Sequence, residues 1–278
     1  MTLSSTSLEN SLTVFVEGIG LLGPGLSSWD QGRAQLQGNV PYQAARCVLP
    51  LPMALPPAER RRAGSVVRVS LAIGQEAVMA SGLQASLLPS VFSSSSGDAI
   101  NCHEICSALA SSDRLISPTR FHNSVHNASS GYWSISSGSM ATSSVLCAHD
   151  ASFAAGLLEA MTQVAVDQTA VLLVAYDTDY PEPLRSVRPL PDTFGIGLVL
   201  APRRSERSLA RWRLAPANCF TRTDAGRLAD NAFEQLRKSI PAARGLPLLH
   251  SVAVQGRGDI VLDYLENLQL VVQVAPCL

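Results

Sequence analysis

The chain has 278 residues, 46% of them hydrophobic and only 15% charged, with a formal net charge of −1. This length suits one large domain with a sizeable core, and the near-zero charge excludes the electrostatic grip that nucleic-acid binding requires. So low a charged fraction also leaves apolar surface that a partner is expected to cover.

The opening MTLSSTSLEN has neither a basic n-region nor an apolar h-region, so no secretory signal is expected. No apolar run reaches the roughly 18 residues of a membrane span, so none is expected. Six cysteines in a chain of this size predict reduced core thiols of a cytoplasmic protein rather than a disulfide framework. Lys238 is the only lysine, which excludes a Gly-Lys-Ser/Thr phosphate loop and predicts no Schiff-base chemistry.

In chain order, Thr13 to Glu17 reads as a first strand, and Gly18-Ile19-Gly20-Leu21-Leu22-Gly23 then spells GxGxxG. A dinucleotide site needs a helix opening at the third glycine and an acid roughly 20 positions on. Pro24-Gly25 follows instead, and residues 35–58 contain no acid, so the segment reads as a glycine-rich turn after a buried strand. Residues 38–57 are proline-rich and predict an irregular surface excursion. Glu59-Arg60-Arg61-Arg62 opens a helix to about Leu83, with Val66, Val69, Ile73 and Ala77 on one face. The arginine run reads as its solvated start. A short strand over Ser90–Ser94, a loop and a helix over Cys102–Ala110 follow.

The stretch from Ser117 to Tyr176 organises the rest. Gly131-Tyr132-Trp133-Ser134-Ile135 reads as a short buried strand running into a tight Ser136-Ser137-Gly138-Ser139 turn. Phe153, Leu157, Leu158 and Met161 then recur at helical spacing, and Ala170–Tyr176 reads as a second apolar strand. A strand, a sharp turn and a buried helix place the turn residue where backbone N–H groups and the helix dipole favour a nucleophile or an oxyanion. Beyond it, Pro181–Pro191 reads as a loop and Phe194–Leu200 as a strand beside Val171–Tyr176. Arg211–Cys219 reads as a strand, Leu228–Lys238 as a helix and Leu268–Val274 as a final strand. Alternating strands and helices predict an α/β layered domain.

Two constellations invite chemistry. Cys102-x3-Cys106 with His122-x3-His126 approaches the spacing of a Cys2His2 zinc site. These histidines follow Ser117-Pro118 beside a serine-rich turn, inside a domain with its own core, so no metal is expected. Ser139 with the distant Asp177 and His250 outlines a serine hydrolase, yet no G-x-S-x-G occurs and Met140 stands where the second glycine belongs. Asp177 and Asp179 read as loop-facing acids.

Together these pieces resemble the β-ketoacyl synthases. Val14–Gly25 resembles their opening strand and glycine turn, and Gly131–Ile135 with its turn and helix resembles the segment that carries their nucleophilic cysteine. Phe194–Leu200 resembles the glycine-containing strand after their proline-rich loop. FSSSSGDAINCHEIC, SPTRFHNSVHNASSGYWSI and DASFAAGLLEA resemble one branch more closely, the shortened ketosynthase-like proteins of aryl polyene biosynthesis. The resemblance covers roughly residues 12 to 201. It implies a thiolase-like α/β fold of two similar halves in five layers, paired with a second subunit. Residues 1–278 would form one such domain, with a complete N-terminal half over 12–201 and a truncated C-terminal half over 202–278.

The departures from that family bear on function. Ser139, or Met140 with a one-residue slip, stands where the cysteine belongs, and Cys147 lies too far into the expected helix. A serine without an adjacent base is a poor nucleophile, and methionine is none. The family's second half also carries two histidines, in H-G-T-x-T and G-H motifs, and a lysine. Residues 202–278 hold only His250 and Lys238, neither in a matching motif. The resemblance therefore implies a non-catalytic, chain-length-factor-like subunit of an active β-ketoacyl-ACP synthase, meeting acyl carrier protein through that complex. Phe121, Trp133 and Met140 are the expected tunnel residues, and Tyr132 and Ile135 the expected interface. The alternative is a divergent acyltransferase using Ser139 or Cys147. No cofactor is expected in either case.

Overall fold

The computed structural model describes residues 12–217, 224–266 and 268–277. Strand β1 (Leu12–Leu22) is followed by helices α1 (Trp29–Leu36), α2 (Pro57–Arg62) and α3 (Ser65–Ser81), and then by β2 (Ser90–Ser93). Helices α4 (Ala99–Ala110), α5 (Pro118–His122) and α6 (Ala128–Ser137) precede β3 (Ser143–Leu146). Helix α7 (Ser152–Asp167), β4 (Val171–Asp177), the short α8 (Leu184–Val187) and β5 (Phe194–Ala201) follow. The chain then forms β6 (Ala210–Ala217), α9 (Asn231–Ser239), α10 (Leu246–Ala253), β7 (Gly258–Leu265) and β8 (Leu268–Pro276).

The strands pair in the order β3-β2-β4-β5-β1-β6-β8-β7. Strand β2 runs parallel to both β3 and β4, whereas β4–β5, β5–β1 and every pair beyond are antiparallel. The order β4-β5-β1 on one side of the β1–β6 seam is mirrored by β7-β8-β6 on the other. Two similar half-sheets thus meet edge to edge, five strands against three.

Period-2 alternation divides the core. On β4, Val171, Leu173 and Ala175 face α7 with Phe153, Leu157 and Met161, while Leu172, Val174 and Tyr176 face α3 with Val69 and Ile73. Strands β6, β8 and β7 turn Trp212, Leu214, Leu262, Leu270, Val272 and Val274 into the α7 core, beside Leu246, Leu248 and Leu249 of α10. Helix α7 therefore lies between the two half-sheets. The α/β layered architecture matches the expected thiolase-like fold, and the periodic segments at α7, β4 and β5 lie where the sequence places them.

Other expectations need correction. The GxGxxG is no turn, because β1 continues through Gly18 and Gly20 to Leu22. A β-carbon at Gly18 would stand 2.0 Å from the Ala77 carbonyl oxygen, and one at Gly20 2.0 Å from that of Ile73. These glycines let the α3 backbone lie directly on the strand. The helix expected over 59–83 breaks at Ala63-Gly64 into α2 and α3. Helix α9 begins at Asn231 rather than Leu228, because Asp230 caps it by accepting from the N–H groups of Ala232 and Phe233. Helices α1 and α10 and strands β3 and β7 are additions to the sequence reading. The expected end of the Arg211–Cys219 strand lies outside the described residues.

The largest correction is at Gly131–Ile135, which is helical and lies within α6. Tyr132 and Trp133 are both buried against α3, which neighbouring residues of a strand cannot do on one face. Ser134 donates to the Ser130 carbonyl at 3.2 Å and Ser137 to that of Trp133 at 2.7 Å, and Gly138 closes the helix at φ 63.

Candidate functional site

Because β2, β3 and β4 are parallel, their carboxyl ends gather Ser93–Ser95, Cys147–Asp150 and Asp177-Thr178 at one edge of the sheet. The strand, turn and helix sought in the sequence are here, at β3 and α7, and not at Ser136–Ser139. The turn residue is His149, in the left-handed region at φ 50. For a non-glycine residue that conformation is uncommon and is held by its surroundings. Ser152 provides the clamp: its Oγ accepts from the Ala148 N–H at 3.0 Å and donates to the His149 carbonyl at 2.7 Å. Helix α7 directs its amino end at this elbow.

Asp150 carries the charge of the elbow. Its carboxylate accepts from Arg188 at 2.7 Å and from Arg244 at 3.0 Å, and His149 Nδ1 lies 3.5 Å away. One carboxylate thus ties the elbow both to the proline-bearing loop and to the turn that precedes α10. The Cys147 thiol donates to the Ser95 carbonyl at 3.1 Å. A carbonyl oxygen takes no proton from a thiol, so this contact does nothing to make a thiolate. Asp177 is fully buried behind the elbow and accepts from the N–H groups of Ser95 and Ala242 at 2.8 Å each, and from Ser94 Oγ at 3.4 Å. Burial pushes its carboxyl above the ordinary range, with these hydrogen bonds pulling the other way. Those contacts occupy Asp177 with the backbone, so it orients no histidine. Burial also lowers His250, on α10.

The residues singled out in the sequence separate by burial. Ser139 is buried in the loop after α6, where its Oγ accepts from the Ala141 N–H at 3.2 Å, and no helix begins there. Met140 is 97% exposed, Phe121 on α5 68% and Ile135 on α6 51%. Trp133 is 1% exposed and packs in the core between α6 and α3, so it opens on no surface. Tyr132 is buried as well, its hydroxyl donating to Asn123 Oδ1 at 3.2 Å, which removes it from any surface a partner could touch. Cys147 directly follows β3, ahead of the elbow, and does not lie within a helix. Asp179 pairs with Arg46 at 3.0 Å and Arg185 at 3.4 Å rather than with Asp177.

Among the described residues, no three of His, Cys, Asp and Glu converge to hold a metal ion, and the five described cysteines are all free thiols. No helix among them is long and apolar enough to cross a membrane. The sequence reading missed His149, Asp150, Arg188 and Arg244. The signal for the first two was present, because Asp150 and Ser152 stand just ahead of the periodic run that begins at Phe153.

Comparison with known proteins agrees on the fold. A chain in the structure of the ketosynthase ApeO in complex with its chain length factor ApeC, from Xenorhabdus doucetiae, superposes with a TM-score of 0.69 at 22% identity, covering 94% of this chain and 99% of that one. The ishigamide ketosynthase/chain length factor gives a TM-score of 0.71 at 11% identity, over 95% and 99%. The AntDE:AntF complex, a type II polyketide acyl-carrier protein with its ketosynthase, gives 0.70 at 12%, over 95% and 99%. No curated protein sequence matches. The family described as beta-ketoacyl synthase, N-terminal domain, matches residues 29–250, well over half of the chain. On that match, and on the strand, elbow and buried helix that give it a structural counterpart, the chain belongs to the beta-ketoacyl synthase N-terminal domain family.

Proposed function

We propose that the protein is the non-catalytic, chain-length-factor-like subunit of a ketosynthase pair that builds a polyene or polyketide chain. The elbow carries this reading. Where the family's architecture presents a nucleophile at the amino end of a buried helix, this chain presents His149 beside an Asp150 that two arginines already neutralise. Cys147, the nearest thiol, meets a backbone carbonyl and not a base. Acyl transfer needs a nucleophile with a base in reach, and the elbow has no such pair.

The partner is an active β-ketoacyl-ACP synthase, and acyl carrier protein reaches the complex through it. Strand β3 lies at the end of the sheet with one edge unpaired, which suits pairing with a second subunit. Leu109, Leu115, Phe121, Val125, Ile135 and Met140 are exposed on α4 to α6 and on the loops around them, more apolar surface than single scattered residues explain. Ile135 is the interface residue of this reading, and Phe121 and Met140 are its candidates for tunnel wall. Co-expression with an active ketosynthase should give one complex on gel filtration. Elution of this chain by itself, as a stable monomer, would remove the basis of the proposal.

The second reading, a divergent acyltransferase using Cys147, has in its favour only that the thiol sits two residues from the elbow. Ser139 has weaker support, because its loop leads into a strand and away from the helix N-terminus.

A further inference from the structure

The proline-rich excursion over residues 40–53 forms neither helix nor strand, yet the rest of the chain fixes its course. The Tyr42 hydroxyl donates to the Pro24 carbonyl at 2.8 Å, and the Cys47 N–H to Asp192 Oδ2 at 3.2 Å. Arg46 donates to the Pro191 carbonyl at 2.7 Å, and Arg68 of α3 to that of Pro50 at 3.1 Å. Two preformed cavities lie along it. The first, about 420 Å³, has the turn between β1 and α1 and the side of α1 as its other wall. The second, about 610 Å³, has α3 as its other wall. Ser27 and Val48 line both, so the two adjoin. Each falls within the size range of small-molecule sites.

Gln35 of α1 lines the first cavity. It is only 6% exposed, and its Oε1 has no hydrogen-bond partner. Buried amide oxygens are paired as a rule, so an unpaired one on a cavity wall marks where a ligand's donor belongs. The second cavity is apolar instead, lined by the exposed side chains of Val48, Leu51, Met53 and Met79. The charged groups of both cavities are already engaged. Glu76 accepts from the N–H groups of Leu21 and Trp29 at 2.9 and 2.6 Å. Arg46 also pairs with Asp179 at 3.0 Å, and Arg68 donates to the carbonyls of both Leu49 and Pro50. An ionised ligand would therefore give up its hydration and find no counter-charge.

We propose that the joined cavities bind a neutral amphiphile, whose head donates an N–H or O–H to Gln35 Oε1 and whose apolar chain runs past Val48 toward Met79. The site shares no residue with the elbow or with the exposed apolar set of α4 to α6, and it stands independently of the ketosynthase-partner reading.

The test is calorimetric titration of the full chain with octanamide. Saturable one-to-one binding is expected. N,N-Dimethyloctanamide keeps the chain and the carbonyl but has no N–H, so it should bind about tenfold more weakly, which corresponds to about 1.4 kcal/mol. Octanoate, charged and without a donor, should not compete. Gln35→Met keeps the length of the side chain and removes the acceptor, so it should bind the two amides equally and melt no lower than the parent. Met79→Asp, at an 80% exposed position, should weaken both amides, while Val187→Asp, at an 84% exposed position on α8, should change neither. The comparison of the two amides in the parent protein needs no variant. Absence of saturable octanamide binding would overturn the proposal, as would equal affinity for the two amides in the parent. An equal loss in Met79→Asp and Val187→Asp would mean diffuse apolar adsorption and would overturn it too. Self-association that Met79→Asp removes, with no octanamide bound, would give the groove to a second copy of the chain and overturn the small ligand.

Discussion

Trp133 of α6 rests on Gly74 of α3: a β-carbon at position 74 would stand 2.9 Å from the indole Cζ3. The contact makes Trp133 part of the α3–α6 core, so Trp133→Ala should destabilise the fold by about 3–5 kcal/mol and leave product length alone. Phe121→Ala and Met140→Ala, at exposed positions, should leave stability within about 0.5 kcal/mol. In a reconstituted pair they should shift products toward longer chains, because a tunnel stop acts by exclusion. Thermal melts and product mass spectra separate the two behaviours.

Two glycines test where the backbone runs. Gly20→Ala would drive a methyl group into the Ile73 carbonyl, 2.0 Å away, and should destabilise by about 3 kcal/mol or more. Gly131 has nothing within 4 Å of the same atom and sits inside α6, so Gly131→Ala should stabilise by about 0.5–1 kcal/mol. Urea titration reads both effects, and a Gly131→Ala variant that lost stability would contradict the open helical site.

Glu234 predicts a pH dependence. Arg237 holds its carboxylate with two hydrogen bonds of 2.7 Å, the Leu228 N–H adds a third at 3.1 Å, and its pKa falls to about 2. A depressed carboxylate contributes stability above its unfolded pKa of about 4.3 and loses it as pH falls toward about 2. Glu234→Gln should therefore cost about 1 kcal/mol at pH 7, and the gap to the parent protein should close between those two pH values. A gap independent of pH in urea melts would contradict this.

Ile135→Asp puts a charge on a half-exposed position of α6. The free subunit should keep its melting temperature. The complex with an active ketosynthase should weaken by several kcal/mol, because a partner would bury that charge unpaired. Gel filtration of the co-expressed pair reads the loss, and an unchanged complex would place the interface elsewhere.

What the sequence could reveal depended on burial. Helix α7 and strands β4 and β5 are buried on long faces, so Phe153, Leu157 and Met161 or Val171 to Tyr176 carry clear periodicity. Helix α6 misled because Gly-Tyr-Trp-Ser-Ile has strand-forming residues, and its helical state depends on α3 lying beneath Tyr132 and Trp133, a contact formed by distant residues. That misreading displaced the expected nucleophile turn from His149 to Ser139. Strand β3 escaped notice because Ser143-Ser144-Val145-Leu146 is short, half-exposed and serine-rich. The GxGxxG misled for another reason: its glycines answer the approach of α3, which no local pattern announces. Arg188 and Arg244 reach Asp150 across 38 and 94 residues, and only the fold brings them there.

On the proposed reading this chain completes a ketosynthase without performing its chemistry. Intact-mass spectrometry of the co-purified pair, after incubation with acyl-loaded carrier protein, tests it most directly. An acyl adduct is expected on the active ketosynthase chain, with an unmodified mass for this one. A stable acyl adduct on this chain, at Cys147 or at Ser139, would contradict it.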